Sequence, residues 1–294
     1  LKSYANGLGV EIIGDIPIYV ALDSADVWAH PEQFQLDGQR RPSRVAGVPP
    51  DMFSSDGQLW GNPLYDWERM AREDYAWWKL RMKFSSELYD VVRIDHFVGI
   101  AHYYSIPAGD DTAKNGVWVD GPGEGLIAAI SSVMGGKRVI AEDLGIVIPE
   151  VGRMLKRSGY PGMKLMQFGF DSGPDNEYLP CHYDKNVVVY GGTHDNETLA
   201  GFFAHQPRRV LRFARAYLGV RTSREIPWAL IRAGYASSAD TAVFQMQDLL
   251  GLGNEARMNT PSTIGENWRW RLAEGQLTSG TARKLRELAE LYGR

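Results

Sequence analysis

Three short apolar runs in this chain each end in a carboxylate: Val91-Val92-Arg93-Ile94-Asp95-His96, Val139-Ile140-Ala141-Glu142-Asp143 and Val188-Val189-Tyr190-Gly191-Gly192-Thr193-His194-Asp195-Asn196. A strand buried on both faces has little reason to terminate in an acid unless the acid faces a site at the edge of the sheet. Apolar runs of strand length recur at 10–20, 91–97, 139–144, 163–170, 187–192 and 241–250, with helical patterns between several of them, at 67–88, 125–134 and 207–218. Such alternation predicts an α/β fold of the (β/α)8 TIM-barrel type, with a carboxylate triad where strands run out into loops. A closed barrel needs eight strands and six are visible, so two are expected either in apparent loops or in sequence before Leu1.

The 294 residues, 44% of them hydrophobic and 11% aromatic, suffice for one large core, and 1–294 is read as one catalytic domain. A formal charge of −4 without any Lys/Arg block argues against nucleic acid and for a neutral substrate. Cys181, the single cysteine, excludes an intrachain disulfide and fits a reducing compartment. No apolar stretch is long enough to span a bilayer and no signal peptide opens the chain, so the expectation is a cytoplasmic protein without membrane attachment. Residues 1–9 look like the tail of a helix ending at a glycine, as though the chain began mid-fold. Glycine and proline cluster at 42–63 and 105–123, which predicts two long loops of the kind that build substrate sites. A closing amphipathic helix is expected at 281–291, preceded by Ser279.

The acids suit a retaining glycosidic transfer. That reaction needs one carboxylate to attack the anomeric carbon and a second, about 5 Å away, to protonate the leaving oxygen and later deprotonate the incoming one. Asp95 lies two residues after Arg93, so in a strand the guanidinium shares its face and would hold the nucleophile ionised. Glu142 needs a less polar setting that raises its pKa, as befits a general acid/base. Asp195, next to His194, suits binding of sugar hydroxyls as the ring distorts. A single acid of this kind is more often a helix cap or surface ion pair; it is the combination, with His96 and His194 each beside an acid, that favours a site. Metal binding is not expected, because Cys181-His182 alone lacks a ligand spacing, and no cofactor is implied.

More specific motifs accompany the acids: Gly14-Asp15-Ile16-Pro17-Ile18-Tyr19-Val20-Ala21, Asp23-Ser24-Ala25-Asp26-Val27-Trp28, Gly47-Val48-Pro49-Pro50-Asp51, and Gly57-Gln58-Leu59-Trp60-Gly61-Asn62-Pro63-Leu64-Tyr65. Further on come Arg93-Ile94-Asp95-His96-Phe97, Ile106-Pro107-Ala108-Gly109, Ala141-Glu142-Asp143-Leu144-Gly145, Gly192-Thr193-His194-Asp195-Asn196 and Arg257-Met258-Asn259-Thr260-Pro261. Together they closely resemble the 4-α-glucanotransferases of the amylomaltase, or disproportionating enzyme, family (glycoside hydrolase family 77, α-amylase clan). The resemblance implies Asp95 as nucleophile, Glu142 as general acid/base and Asp195 as transition-state stabiliser. It also implies Arg93, His96 and His194 lining the cleaved linkage, with Asp15, Asn259 and Pro261 bordering the groove. The loop from Pro49 to Trp60 would arch over the cleft and keep water from the glycosyl-enzyme, with Phe53 and Trp60 stacking on pyranose faces. Partners would be malto-oligosaccharides and α-1,4-glucans; oligomeric state is left open.

Two substitutions depart from the family pattern, Met52 for a common Tyr and Ser262 for a usual Gly. Family members also extend further on the N-terminal side, so the chain is expected to correspond to barrel strands three to eight of a longer enzyme. The alternatives are an α-glucan hydrolase with the same triad and an inactive glucan-binding fragment. Gly121-Pro122-Gly123-Glu124-Gly125 reads as a plain loop before a helix rather than a nucleotide loop, and the basic helix at 208–215 as an outer helix with one solvated face.

Overall fold

The computed structural model describes residues 1–50, 54–145, 148–261 and 263–294. It is a mixed α/β structure of two compact units, Leu1–Gly162 and Met163–Arg294. Phe53, with Asp51 and Met52 of the arching loop, and Ser262 lie outside the described residues.

In the first unit the strands are β1 (Ile13–Ile16), β2 (Arg44–Val48), β3 (Gln58–Pro63), β4 (Val91–Ile94), β5 (His102–Pro107), β6 (Val117–Asp120) and β7 (Arg138–Ala141). A parallel sheet has the order β1-β4-β7, in register so that Asp15 stands beside Arg93 and Arg93 beside Ile140, then Ile16 beside Ile94 and Ile94 beside Ala141. Its central strand β4 is buried throughout, as its unbroken apolar run requires. Helices Ala76–Leu88 and Gly123–Val133 supply Trp78, Met82, Leu126 and Ile130 to the same core.

The helical pattern at 67–88 is two helices, Trp67–Arg72 and Ala76–Leu88. Asp74 and Tyr75 between them are left-handed, with φ of 52° and 51°, while the Tyr75 amide bonds back to the Met70 carbonyl. Such a pair ends one helix and re-aims the chain into the next.

The two glycine- and proline-rich stretches are not loops throughout. They form β2, β3 and β6, which with β5 make a four-stranded antiparallel sheet ordered β3-β2-β5-β6. Strands thus do lie in the apparent loops, but in a separate antiparallel sheet and not in the parallel one. Their composition is misleading for local reasons. β3 ends at Pro63, one face of β6 and β3 is open, and β2 carries a bulge between Val45 and Gly47. At Gly47 a Cβ would sit 2.1 Å from the Gln58 carbonyl oxygen, so the close approach admits only glycine.

The second unit contains a sheet ordered β10-β9-β8, with β8 (Gly162–Leu165) starting at the unit boundary, β9 (Val187–Tyr190) and β10 (Thr241–Val243); β9 and β10 are parallel. The apolar runs here are longer than the strands they contain. Met166–Phe170 continues as a 3-10 helix, and Met246–Leu249 as a short α-helix. Met166, Phe170, Val189, Leu199, Phe203, Leu230 and Ile231 form the core. Helix Arg208–Leu218 buries Val210 and Ala214 and leaves Arg208, Arg209 and Arg212 exposed. Helix Ser279–Tyr292 is capped by Thr278 rather than Ser279, the Thr278 hydroxyl accepting from the Thr281 amide. Among the described residues no helix is long and apolar enough to cross a membrane.

Candidate active site

In the first unit the three parallel strands deliver charged groups to one end. Asp15 is in β1, Arg93 in β4, Asp95 follows β4 directly, and Glu142 follows β7 directly. Because Ile94 and Ala141 are paired, Asp95 and Glu142 occupy equivalent positions on adjacent strands. Backbone bonding carries on past the strands: the Asp95 amide donates to Ile16 O, Glu142 to Ile94 O and Phe97 to Glu142 O. Arg93 is the hub, its Nη1 2.6 Å from Asp15 Oδ1 and its Nη2 3.0 Å from Asp95 Oδ1. Burial opposes the Arg93 charge, yet Asp15, Asp95 and Glu142 outweigh it and hold the guanidinium more firmly protonated than usual.

Glu142 is buried, and burial, reinforced by the nearby Asp95 charge, pushes its pKa up to about 7. Arg93 and two amide donors oppose the shift without cancelling it. The amides are His96 N to Oε2, 2.8 Å, and Leu144 N to Oε1, 2.9 Å. Adjacent acids thus have different environments: Asp95 is partly open and ion-paired, whereas Glu142 is enclosed and ready to hold a proton near neutrality.

His96 adopts φ 50°, unusual outside glycine, and burial pushes its imidazole down to about 4, so the ring is neutral at pH 7. Its Nε2 is buried and has no hydrogen-bond partner among the described residues. Trp60 from β3 meets the ring edge-on, with centroids 4.9 Å apart. The structure therefore brings together Asp15, Trp60, Arg93, Asp95, His96 and Glu142, all anticipated from sequence.

In the second unit His194 and Asp195 lie beyond β9, where Gly191 and Gly192 lead the chain out of the sheet. Asn259 Nδ2 donates to Asp195 Oδ1 at 2.6 Å, the Asn259 amide to His194 O at 3.0 Å, and His194 Nε2 stands 3.4 Å from Asp195 Oδ2. His194, Asp195 and Asn259 are therefore joined. Pro261 is exposed beyond them, with no described contact to the acid. Arg257 was not foreseen as a site residue: its Nη2 donates to Asp195 O at 2.6 Å and its Nε to Asn259 O at 2.8 Å. Its signal was an arginine two residues before Asn259 in an otherwise uncharged motif. Gln245, equally unforeseen, gives its Nε2 to Gly192 O and Thr193 O at 3.2 and 2.8 Å. Trp268, half exposed, stacks obliquely on His194 with centroids 4.9 Å apart. A cavity of about 500 Å³ on helix Arg208–Leu218, lined by Arg208, Arg212 and Ser223 among others, includes none of the site residues.

The profile of the family described as 4-alpha-glucanotransferase matches residues 1–278. The chain belongs to this family. It is 49% identical to the 4-alpha-glucanotransferase of Thermus thermophilus over 99% of this chain and 59% of that protein, and 45% identical to that of Clostridium butyricum over 100% and 61%. Among solved structures it is similar to the amylomaltase from Streptococcus agalactiae in complex with acarbose, with TM-score 0.96 and 41% identity over 100% of this chain and 59% of that one. The amylomaltase of Corynebacterium glutamicum, at 21% identity and TM-score 0.76, shares the fold. The chain thus spans about three-fifths of the length of the Thermus relative, 59%. Membership of the 4-alpha-glucanotransferase family agrees with the resemblance carried by the sequence motifs.

Proposed function

We propose that this chain is a retaining 4-α-glucanotransferase, or the part of one that carries its acids, moving α-1,4-glucan segments between malto-oligosaccharides through a glycosyl-enzyme. What carries this is the pairing of β4 with β7, which sets Asp95 and Glu142 at matched positions on adjacent parallel strands. Neighbouring strands run about 4.8 Å apart, in keeping with the roughly 5 Å between carboxyls that a retaining mechanism needs. Asp95, ionised against Arg93, attacks the anomeric carbon as Glu142 gives its proton to the leaving oxygen. Once Asp95 is esterified its negative charge is gone, and with it one of the two influences that raise the Glu142 pKa. Glu142 then becomes the base that deprotonates the incoming glucan 4-hydroxyl. Asp195, fixed by Asn259, stabilises the oxocarbenium-like sugar.

Arg93, Asp15, His96, His194, Asn259, Pro261, Trp60 and Phe53 are proposed to bind substrate. The Nε2 of neutral His96, which has no partner among the described residues, is suited to a sugar hydroxyl. No cofactor enters this scheme. We assign the six strands β1, β4, β7, β8, β9 and β10 to one (β/α)8-type barrel within a single catalytic domain, 1–294. What supports the reading is that, within each of the two sheets taken by itself, the strands are ordered as in the chain. A cytoplasmic location remains the proposal from the single cysteine.

The test is incubation of the chain with maltotriose, followed by chromatography. Glucose together with a ladder of longer oligomers is expected. Glucose and maltose without longer products would replace transfer by hydrolysis, and glucan binding without turnover would leave a binding fragment.

A further inference from the structure

β10 leaves its sheet beside β9, and three polar side chains just beyond it, Gln245, Gln247 and Asp248, interrupt an otherwise apolar run. Each reaches a segment bordering Asp195. Gln245 binds the carbonyls of Gly192 and Thr193, before the acid. Asp248 Oδ1 accepts from the Leu199 amide at 2.7 Å, after it. Gln247 Nε2 binds Ala256 O at 3.2 Å, next to the Arg257 that holds the Asp195 carbonyl.

Asp248 is 0% exposed, and its Oδ2 has no partner among the described residues. That oxygen faces the start of the same segment: a Cβ added to Gly191 would stand 3.4 Å from it. A buried carboxyl with one oxygen unbonded is costly, and nothing in ordinary packing calls for it. Burial pushes its pKa up to about 6, opposed by the Leu199 amide. The carboxyl bonds the start of helix Leu199–Ala204 through Oδ1 and lies close to the exit of β9 at Gly191 without bonding it. Gln245 holds the loop at Gly192 and Thr193 and Asp248 holds it at Leu199; a loop held at both ends has few courses open to it, and His194 and Asp195 are its middle.

We infer that Asp248 is a positioning residue for the glucan-transfer site: from outside the reacting groups it holds the Leu199 end of the loop that Gln245 holds at Gly192, and thereby helps set where Asp195 stands. The inference rests on Asp195 being the site's third acid. It requires only the acceptor at Oδ1, so an amide should serve in place of the acid, and an apolar residue of the same size should not.

The experiment compares Asp248→Asn and Asp248→Leu in the 294-residue chain, following maltotriose turnover and backbone hydrogen exchange together. For Asp248→Leu, exchange across 192–199 should accelerate at least about 10-fold and kcat fall about 10- to 100-fold with KM within about 2-fold, since a small misplacement of a reacting group costs that much. Exchange within helix Arg208–Leu218 should stay unchanged. Asp248→Asn should restore both readouts to within about 3-fold of the parent. Gln245→Met, which loses only the carbonyl contacts before the acid, gives a milder second variant should Asp248→Leu not fold, with the same expected pattern at smaller size. The inference is overturned if exchange at 192–199 is unaltered, if Asn is no better than Leu, or if exchange accelerates while turnover holds. A parallel Asp195→Asn variant separates the causes. Its inactivity places the failure in the clamp, and its full activity places it in the assignment of Asp195.

Discussion

The acids of the two units are held in place by different means. Asp95 and Glu142 are the residues next after a paired register position, and the backbone hydrogen bonds of β1, β4 and β7 extend through them. Asp195 lies beyond two glycines, outside the ladder, and is fixed by side chains from residues far along the chain: Gln245, Arg257 and Asn259. A ladder positions whatever residue follows it, so the first pair follows from strand pairing alone. A side-chain bracket positions an acid only if several distant residues are each correct, and it fails one bond at a time.

The largest expected effect tests the ladder-built half. Asp95→Asn leaves β4, its pairing and the Arg93–Asp15 contact in place but removes the nucleophile. Transfer should fall by on the order of 10⁴-fold or more, with oligosaccharide binding retained in calorimetry. Wild-type-like turnover would remove Asp95 as nucleophile.

Glu142→Gln comes next, with a loss of about 10²- to 10⁴-fold on natural glucans. With a substrate carrying a good leaving group, a covalent adduct should persist, detectable by intact-mass measurement; rapid clearance would count against the assignment. Its pH behaviour follows from a folded-state pKa raised to about 7 by burial and by Asp95. The acid form needed for the first step is present below that value, so activity should decline as pH rises through about 7. The sign for stability is the same. In the folded state the proton is held more tightly than in the unfolded chain, so this contribution is complete below the unfolded carboxyl pKa and is lost as pH rises through about 7. Glu142→Gln should flatten that part of the melting temperature's pH dependence.

The same contrast explains what the sequence made legible. The strands of the two three-stranded sheets were visible as apolar runs, most clearly in β4 and β9, where burial on both faces leaves a local signature, and Arg93 with Asp95 was visible because period-two spacing puts them on one face. The antiparallel strands were hidden: β3 and β6 are half open, β2 is bulged at Val45 and Gly47, and proline ends β3 and β5. Arg257 was quoted only within a motif, and Gln245 and Asp248 had no local signal beyond being polar in an apolar run. Their partners, Asp195, Gly192 and Leu199, lie about 50 residues or more away in the chain, and such pairings have no periodicity to reveal them.

A smaller effect tests the bracket directly. Arg257 reaches two carbonyls at once, Asp195 through Nη2 and Asn259 through Nε. Lysine keeps the charge but offers a single ammonium, so Arg257→Lys should lower kcat about 10-fold in steady-state transfer assays. Full activity would mean that Asp195 is placed without this bridge, and the difference between the two units would narrow.

The smallest effect asks whether helix Leu199–Ala204 itself sets the loop. Thr198 is fully buried and its hydroxyl caps the helix, accepting from the Gly201 amide at 3.0 Å, while Asp248 takes the Leu199 amide. Two of the free amides of one helix start are thus satisfied by side chains from different places. Thr198→Val keeps the shape and deletes only the cap, so it should cost about 1 kcal/mol in denaturant unfolding. Turnover should stay within about 2-fold, because the Asp248 bond that holds the helix start at Leu199 is intact. A loss as large as that expected for Arg257→Lys would show that the helix start, and not the bracket of distant side chains, holds Asp195; the two units would then position their acids by the same local means.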